Sequence, residues 1–290
     1  MVLLRRYFSY LILLVLIFIS LGIWGAVFAS TPSGVLTVAV MDVGQGDSIF
    51  IESPTGVQII IDGGPDNSLL HELPKLMSLS DRALDAVIAT HPDADHTSGF
   101  VDLLKRYSVG VFISPGIPKP TVTARTLEKE IDTEKIPRYI ARRGDWLELG
   151  GGARLQILFP DFDVSHLSSD KTNEGCIVSH LVYGNTSMIF MCDAPMSVEN
   201  HLMQIGSSTE LTSNILKVGH HGSRYSTGNT FLDTVHPPVA VISVGARNTY
   251  GHPTSETLRK LEAHNIKTLR TDEEGTVVFV SDGKTFVRKF

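Results

Sequence analysis

Cysteine is scarce in this sequence, with two residues among 290, so a framework of several disulfides is excluded. Glycine and proline, at 25 and 14 residues, follow no repeating period, which excludes a collagen-like or low-complexity chain. Internal repeats of about 20–50 residues are also lacking, which argues against solenoids and propellers. With 42% hydrophobic and 19% charged residues, the composition is neither disordered nor coiled-coil in type.

An excess of basic residues is missing as well. Once Arg5 and Arg6 are set aside, the 25 basic residues fall to 23 against 31 acidic ones, a net charge of −8. A protein that binds nucleic acid over a broad surface neutralises phosphates with lysine and arginine, so this balance argues against a general nucleic-acid binder. Any contact with nucleic acid is expected to be local.

Charge is absent from the 23 residues Tyr7–Ala29, which follow Arg5 and Arg6. A helix of that length spans roughly 34 Å, enough for a hydrocarbon core of about 30 Å. The two arginines should stay in the cytoplasm, which predicts export of everything after Ser30. A cleavable signal peptide is an alternative, because Val27-Phe28-Ala29 suits cleavage, and a buried core helix is a third. We therefore predict a membrane anchor or signal segment over residues 1–30 and a separate domain over residues 31–290.

The remaining chain mixes apolar β-branched runs, turns and helical patterns, with no clear domain boundary between residues 35 and 290. Trp146–Leu149 and Arg154–Phe159 predict a hairpin, and Asn67–Leu79 and Thr97–Arg106 predict helices. Strands and helices in this mixed order predict an α/β fold in which two mixed sheets pack together with helices outside.

Four side chains of metal-ligand type occur in the six residues His91-Pro92-Asp93-Ala94-Asp95-His96, between a predicted strand and a predicted helix. Imidazole nitrogens and carboxylate oxygens are the ligands that Zn²⁺ and Mn²⁺ use. His91 and Asp93 alternate, so an extended backbone would point both to one side. Asp95 and His96 follow where the chain bends into a helix and can face a second ion. A solvated polar turn would explain any one of these residues, but it does not explain the whole segment.

Three further strand ends carry side chains of the same kind. Asp62 ends an apolar strand, where it either caps a turn or orients a metal ligand from outside the ligand set. Asp193 ends another apolar strand and could bridge two ions, while Cys192 beside it is expected to be a buried strand residue. The adjacent His220 and His221 follow a third strand.

Taken in order, these segments resemble the metallo-β-lactamase fold superfamily over nearly all of residues 35–290. The likeness extends to the exported hydrolase domain of ComEC-type DNA-uptake proteins. It rests on the segment Asp42–Ser48, on Asp93 where most of the superfamily has a second histidine, and on the stretch Ser243–Pro253. The resemblance implies an αββα sandwich over residues 31–290.

The resemblance also implies a dinuclear centre of two divalent metal ions, Zn²⁺ or Mn²⁺. The implied metal ligands lie at strand ends and in turns: His91, Asp93, Asp95, His96, Asn173, Asp193 and His220. The implied catalytic residues are Asp95, His221, Asn248 and His252, with Asp62 orienting a ligand. His220 is favoured over His221 as the ligand because it directly follows the strand, but the order of the two is open. Asp93 and Asn173 replace two imidazoles of the first site, which leaves Mn²⁺ open there.

The implied function is an exported, membrane-anchored hydrolase that cleaves a phosphodiester, with DNA as the substrate that the resemblance favours. It would be anchored through residues 7–29, or secreted if that segment is cleaved. A cell-envelope phosphocholine ester is an alternative substrate, and a non-catalytic partner of a separate DNA-uptake channel is an alternative role. Because the chain has a single hydrophobic span, it resembles the hydrolase part of a ComEC-type protein detached from the pore.

Overall fold

Two β-sheets lie between layers of helices in the computed structural model, which describes residues 2–29, 33–78 and 81–290. The strands of these residues are β1 (Leu36–Val40), β2 (Ile49–Glu52), β3 (Gln58–Ile61), β4 (Ala83–Ile88), β5 (Ser108–Ser114), β6 (Arg138–Ile140), β7 (Trp146–Gly150), β8 (Ala153–Phe159), β9 (Val178–Tyr183), β10 (Thr186–Phe190), β11 (Ile215–Lys217), β12 (Val239–Ile242), β13 (Lys267–Arg270), β14 (Val277–Ser281) and β15 (Phe286–Lys289). The first sheet has the order β15-β14-β1-β2-β3-β4-β5-β6 and the second β13-β12-β11-β10-β9-β8-β7.

The α-helices of the described residues are named in chain order. They are α1 (Val2–Ala29), α2 (Leu69–Glu72), α3 (Ala94–Leu103), α4 (Val122–Thr133), α5 (Met196–Ile205), α6 (Ser208–Leu211), α7 (Asn229–Val235), α8 (Ser255–Ala263) and α9 (Thr271–Glu274). Side chains of α2, α3 and α4 pack on the outer face of the first sheet, and those of α5 to α8 pack on the outer face of the second. The layers therefore follow the predicted αββα order, and the predicted mixed α/β fold is confirmed.

Strand β3 shows why several strands are apolar at every position. Ile59 and Ile61 pack in the core between the two sheets, whereas Ile60 packs in the core beneath α2, α3 and α4. A strand covered on both faces buries all its side chains, which explains the continuous run of isoleucine.

Parallel pairing brings the functional loops to one edge of the sandwich. Strands β3, β4 and β5 are mutually parallel in the first sheet, and β10, β11 and β12 are parallel in the second. The carboxyl ends of parallel strands meet at the same edge, where α/β proteins place their ligands. The segments after β3, β4, β10, β11 and β12 are the ones in which the sequence places its candidate side chains.

Three sequence predictions of local structure can be compared directly. The hairpin of β7 and β8 is confirmed. The helix predicted over Asn67–Leu79 is wrong as one helix: α2 gives way to a 3-10 turn, Leu73–Lys75, whose Pro74 cannot donate a backbone hydrogen bond, and Leu79 lies outside the described residues. The helix predicted from Thr97 begins earlier, at Ala94, because Asp93 takes the extended backbone of an N-cap.

The predicted anchor segment is helical as α1. Among the residues that the structure describes, no helix meets both the length and the apolar character needed to cross a membrane, so the predicted span is not confirmed. The predicted boundary between residues 30 and 31 lies outside the described residues.

Candidate metal centre

Four candidate ligand side chains converge at the carboxyl edge of the two sheets. Asp95, His96, Asp193 and His221 each bring a ligand atom to within 4.8 Å of the others. Oδ1 of Asp193 lies 3.4 Å from Nε2 of His96 and 3.6 Å from Nε2 of His221. Ligands at about 2.0–2.2 Å from a tetrahedral ion are about 3.3–3.6 Å apart, so these separations fit atoms arranged around one cation.

Unpaired atoms at this place support the same interpretation. Nε2 of His91, His96 and His221 and Oδ1 of Asp193 are buried and have no hydrogen-bond partner among the described residues. The His91 ring lies 4.1 Å from the His96 ring, so it lies beside the group. Leaving a buried polar atom unpaired costs about 1–3 kcal/mol, so four of them together indicate that a cation belongs between them. Three imidazoles with carboxylates are a donor set that fits Zn²⁺ or Mn²⁺.

Asp62 and Thr90 set the orientation of two of these histidines. Nδ1 of His96 lies 2.8 Å from Oδ2 of Asp62, so it donates to that carboxylate and leaves Nε2 as the nitrogen that can bind a cation. Asp62 also accepts hydrogen bonds from the backbone N–H and the hydroxyl of Thr90, both at 2.7 Å. Because the hydroxyl proton is directed to Asp62, the Thr90 oxygen accepts from Nδ1 of His91 at 3.0 Å. Nε2 of His91 is therefore also free to bind a cation.

His221 is oriented by the segment after β12 and by a buried ion pair. Its Nδ1 donates to the backbone carbonyl of Ser243 at 3.0 Å and lies 3.4 Å from Oδ1 of Asp47. The other Asp47 oxygen pairs with the Lys217 ammonium at 2.6 Å, and both side chains are buried. Sequence reasoning missed Lys217 as a supporting residue, although a lysine inside the apolar strand β11 was a signal that could have revealed it.

Imidazoles and carboxylates of opposite charge are buried together in this group, and each shifts the pKa of the other. Burial alone would lower the pKa of His221, but Asp193 and Asp47 raise it to about 10. Burial likewise opposes the rise in the pKa of His96, which Asp193 and Asp62 nevertheless hold well above its usual value. In return, the two imidazoles keep the pKa of Asp193 well below its usual range against the effect of burial. Binding of a divalent cation here must displace imidazole protons.

Asp93, a candidate ligand of the first predicted site, has partners outside the group. Its Oδ1 accepts from the Lys119 ammonium and from the Thr172 hydroxyl, both at 2.6 Å. Asn173 lies next to Thr172 in the 3-10 turn Thr172–Gly175, and its role as a ligand stays a prediction.

The adjacent histidines take the opposite order from the one that the sequence favours. His221 belongs to the group, whereas His220 lies at its rim, with Nε2 3.6 Å from Oδ2 of Asp193 and the side chain 29% exposed. Both residues have left-handed backbone, with φ of 48° and 53°, which turns the chain sharply after β11. The turn carries His221 inward and leaves His220 at the rim, so the structure favours His221 of the two histidines whose order the sequence left open.

Asn248 and His252, the two predicted catalytic residues of the segment after β12, have different surroundings. The Asn248 side chain donates to the carbonyls of Gly245 and His252 and accepts from the backbone N–H of His252, so it closes a loop. A contact of Asn248 with the substrate stays a prediction. The His252 ring lies 5.7 Å from the His220 ring, at the rim of the group.

A disulfide joins Cys176 to Cys192 across 16 residues. Cys192 is buried as predicted, but it is not a free thiol. It directly precedes Asp193, and its carbonyl accepts the backbone N–H of His220 at 2.9 Å. Cys176 follows the turn that contains Asn173, so the cross-link ties two segments beside the candidate metal centre.

A cavity of about 710 Å³ opens next to the group. Its wall includes His91, Pro92 and Lys119 on one side and residues of α4, among them Arg125 and Leu127, on the other. A space of this size is typical of a site that receives a small ligand or one segment of a larger substrate.

The αββα sandwich and the histidine–aspartate group at its carboxyl edge define a class of metal-binding hydrolase folds. The chain belongs to the metallo-beta-lactamase superfamily: the family described as Lactamase_B, Metallo-beta-lactamase superfamily, matches residues 41–246. The predicted resemblance to this superfamily is confirmed.

Two curated relatives extend the comparison, and the predicted likeness to DNA-uptake proteins is confirmed by their names. The chain is 31% identical over 262 residues to ComE operon protein 3 of Bacillus subtilis (strain 168), covering 83% of this chain and 32% of that protein. It is 28% identical over 251 residues to Competence protein ComA of Neisseria gonorrhoeae, and that match covers 86% of this chain and 33% of that protein. The chain thus spans about a third of the length of these relatives.

A solved structure supports the fold. The chain is similar to Igni18, a metallo hydrolase from the archaeon Ignicoccus hospitalis KIN4/I, with a TM-score of 0.56 and 17% identity. The match covers 84% of this chain and 98% of that one, and at this identity it shows the fold alone.

Proposed function

We propose that this chain is a metal-dependent phosphodiesterase that acts on nucleic acid in DNA uptake. The observation that carries the proposal is the convergence of ligand atoms from Asp95, His96, Asp193 and His221, three of them buried without a hydrogen-bond partner. His91, whose ring lies beside that of His96, also lines a cavity. The names of the relatives ComE operon protein 3 and Competence protein ComA support the link to competence.

In the proposed reaction the protein supplies position and charge. A bound divalent cation, Zn²⁺ or Mn²⁺, would lower the pKa of water to near neutrality and stabilise negative charge. His96, His221 and Asp193 would hold that cation, with Asp95 and His91 completing its surroundings. Asp62 and the Ser243 carbonyl keep the two Nδ1 protons away from it, which fixes the imidazoles in the binding tautomer.

The rim of the group faces the substrate. The His220 side chain is part-exposed, and its Nε2 can donate a hydrogen bond to a substrate oxygen. The His252 ring lies beside it. We propose these two histidines as the residues that contact the substrate, with His220 taking the role that the sequence gave to His221.

The site is also proposed to lie outside the cytoplasm on a membrane-anchored chain. Arg5 and Arg6 precede the uncharged segment Tyr7–Ala29, a charge pattern that favours an anchor whose amino end stays inside. The Cys176–Cys192 disulfide supports the same placement, because disulfides persist in oxidising compartments and are rare in the cytosol. A separate DNA-uptake channel is the proposed partner.

The test is hydrolysis by the purified full chain in mild detergent. With Mn²⁺ or Zn²⁺ added, we expect cleavage of single-stranded or double-stranded DNA and of a bis-aryl phosphodiester, and no cleavage in the presence of a chelator. His221→Ala should be inactive, and the matched variant His264→Ala, far from the group, should retain activity. A metal-loaded chain that cleaves a phosphocholine ester but no DNA would overturn the nucleic-acid substrate. If the metal-loaded chain cleaves no phosphodiester, the proposed enzymatic function is overturned, and the chain is then a non-catalytic partner of the channel.

A further inference from the structure

The sequence predicts two metal ions. The first of the two predicted sites needs His91, Asp93 and Asn173 to face a cation that Asp193 shares. Among the described residues, Nε2 of His91 and Oδ1 of Asp193 are buried without a hydrogen-bond partner, whereas Asp93 is not one of the residues whose ligand atoms meet in the group. The carboxylate expected from Asp93 is therefore missing from the group.

Two partners outside the group hold Asp93. Its Oδ1 lies 2.6 Å from the Lys119 ammonium and accepts the Thr172 hydroxyl at the same distance. Short hydrogen bonds to charged partners are about twice as strong as neutral ones, so the lysine and the threonine together fix this carboxylate. A cation bound to Asp93 would have to displace the ammonium or stand close beside a like charge.

Lys119 is placed to act on what enters the cavity. Its side chain is only 17% exposed, and it lines the 710 Å³ cavity together with His91 and Pro92. The ammonium therefore stands between a fixed carboxylate and the space next to the histidine–aspartate group. An ammonium held in this way presents a positive charge without the entropy of a free lysine side chain.

We propose that the centre binds one divalent cation, not two, and that the Lys119 ammonium, held by Asp93 and Thr172, provides the second positive charge for the substrate. The number of ions follows from the donors alone. The role of Lys119 toward the substrate rests on the proposed function, since it assumes an anionic phosphodiester whose oxygens reach the cavity.

Metal stoichiometry tests the first part without any substrate. The full chain is loaded with excess Mn²⁺ or Zn²⁺, freed of unbound metal, and measured by native mass spectrometry and elemental analysis. We expect one ion per chain in the wild type and still one in Asp93→Asn, which keeps the shape and the helix N-cap backbone of Asp93. Two ions in the wild type, with one lost in Asp93→Asn, would overturn the proposal.

Kinetics with a bis-aryl phosphodiester test the second part. Lys119→Met keeps the length of the side chain and removes its charge, and it should lower kcat/KM by about 10²-fold with one ion still bound. Lys105→Met, which removes a surface lysine paired with Asp102, is the matched control and should leave kcat/KM unchanged. An unchanged kcat/KM in Lys119→Met would overturn the role of Lys119. If the wild type itself is inactive, the proposed function fails while the stoichiometry still decides the number of ions.

Discussion

Removing the Cys176–Cys192 cross-link should destabilise the chain by a calculable amount. The bond closes a loop across 16 residues, and the chain-entropy relation gives about 3 kcal/mol for a loop of roughly this length. At about 2–4 °C per kcal/mol for a domain of this size, the expected fall in Tm is about 6–12 °C. Both cysteines are buried, so the alanine variants lose packing as well.

Urea unfolding separates these two contributions. The double variant Cys176→Ala, Cys192→Ala is compared with the wild type before and after reduction, since reduction opens the same loop without removing the sulfur atoms. We expect reduction alone to account for about 3 kcal/mol of the free energy of unfolding and the double variant to lose more. Two titratable thiols in the unreduced, unfolded chain, or equal midpoints before and after reduction, would refute the reasoning.

Three further outcomes follow from the site and the core. His221→Ala should release the bound cation at metal concentrations where His220→Ala retains it, as measured by metal content after gel filtration; equal losses would contradict the order of the two histidines. Asp62→Asn should weaken metal affinity about 10–100-fold, as measured by chelator titration, because His96 loses its anionic partner. An unchanged affinity would mean that Asp62 only caps a turn. Burial lowers the pKa of His180 to about 4, against about 6.5 in the unfolded chain, so the unfolded state binds more protons between these values. The metal-free chain should therefore lose stability as the pH falls from about 6.5 to about 4, and His180→Phe should flatten that slope in urea unfolding at several pH values; an unchanged slope would contradict the assignment.

The sequence predicted the layers of the fold and most of the group because both depend on local patterns. Ile59–Ile61 is apolar at every position and ends in Asp62, which is enough to predict a buried strand that delivers a carboxylate to a sheet edge. The spacing of His91, Asp95 and His96 similarly places three side chains where a strand passes into a helix. Such features require no knowledge of distant residues.

The features of the site that the sequence did not predict depend on contacts between residues far apart in the sequence. Thr172 is 79 residues from Asp93, and Lys119 is 26 residues away, so no local pattern predicts that they occupy its carboxylate. The order of His220 and His221 depends on two consecutive left-handed residues, a conformation that non-glycine residues adopt rarely. The sequence favoured His220 because it directly follows the strand, whereas the sharp turn brings His221 into the group.

The central claim is that Asp95, His96, Asp193 and His221 bind one divalent cation. Crystals of the chain grown with Mn²⁺ or Zn²⁺ and measured at the absorption edge of that metal test it most directly. The account predicts a single anomalous peak at about 2.0–2.3 Å from Nε2 of His96, Nε2 of His221 and Oδ1 of Asp193. A second peak on Asp93 with Lys119 displaced, or no peak at saturating metal, would contradict it.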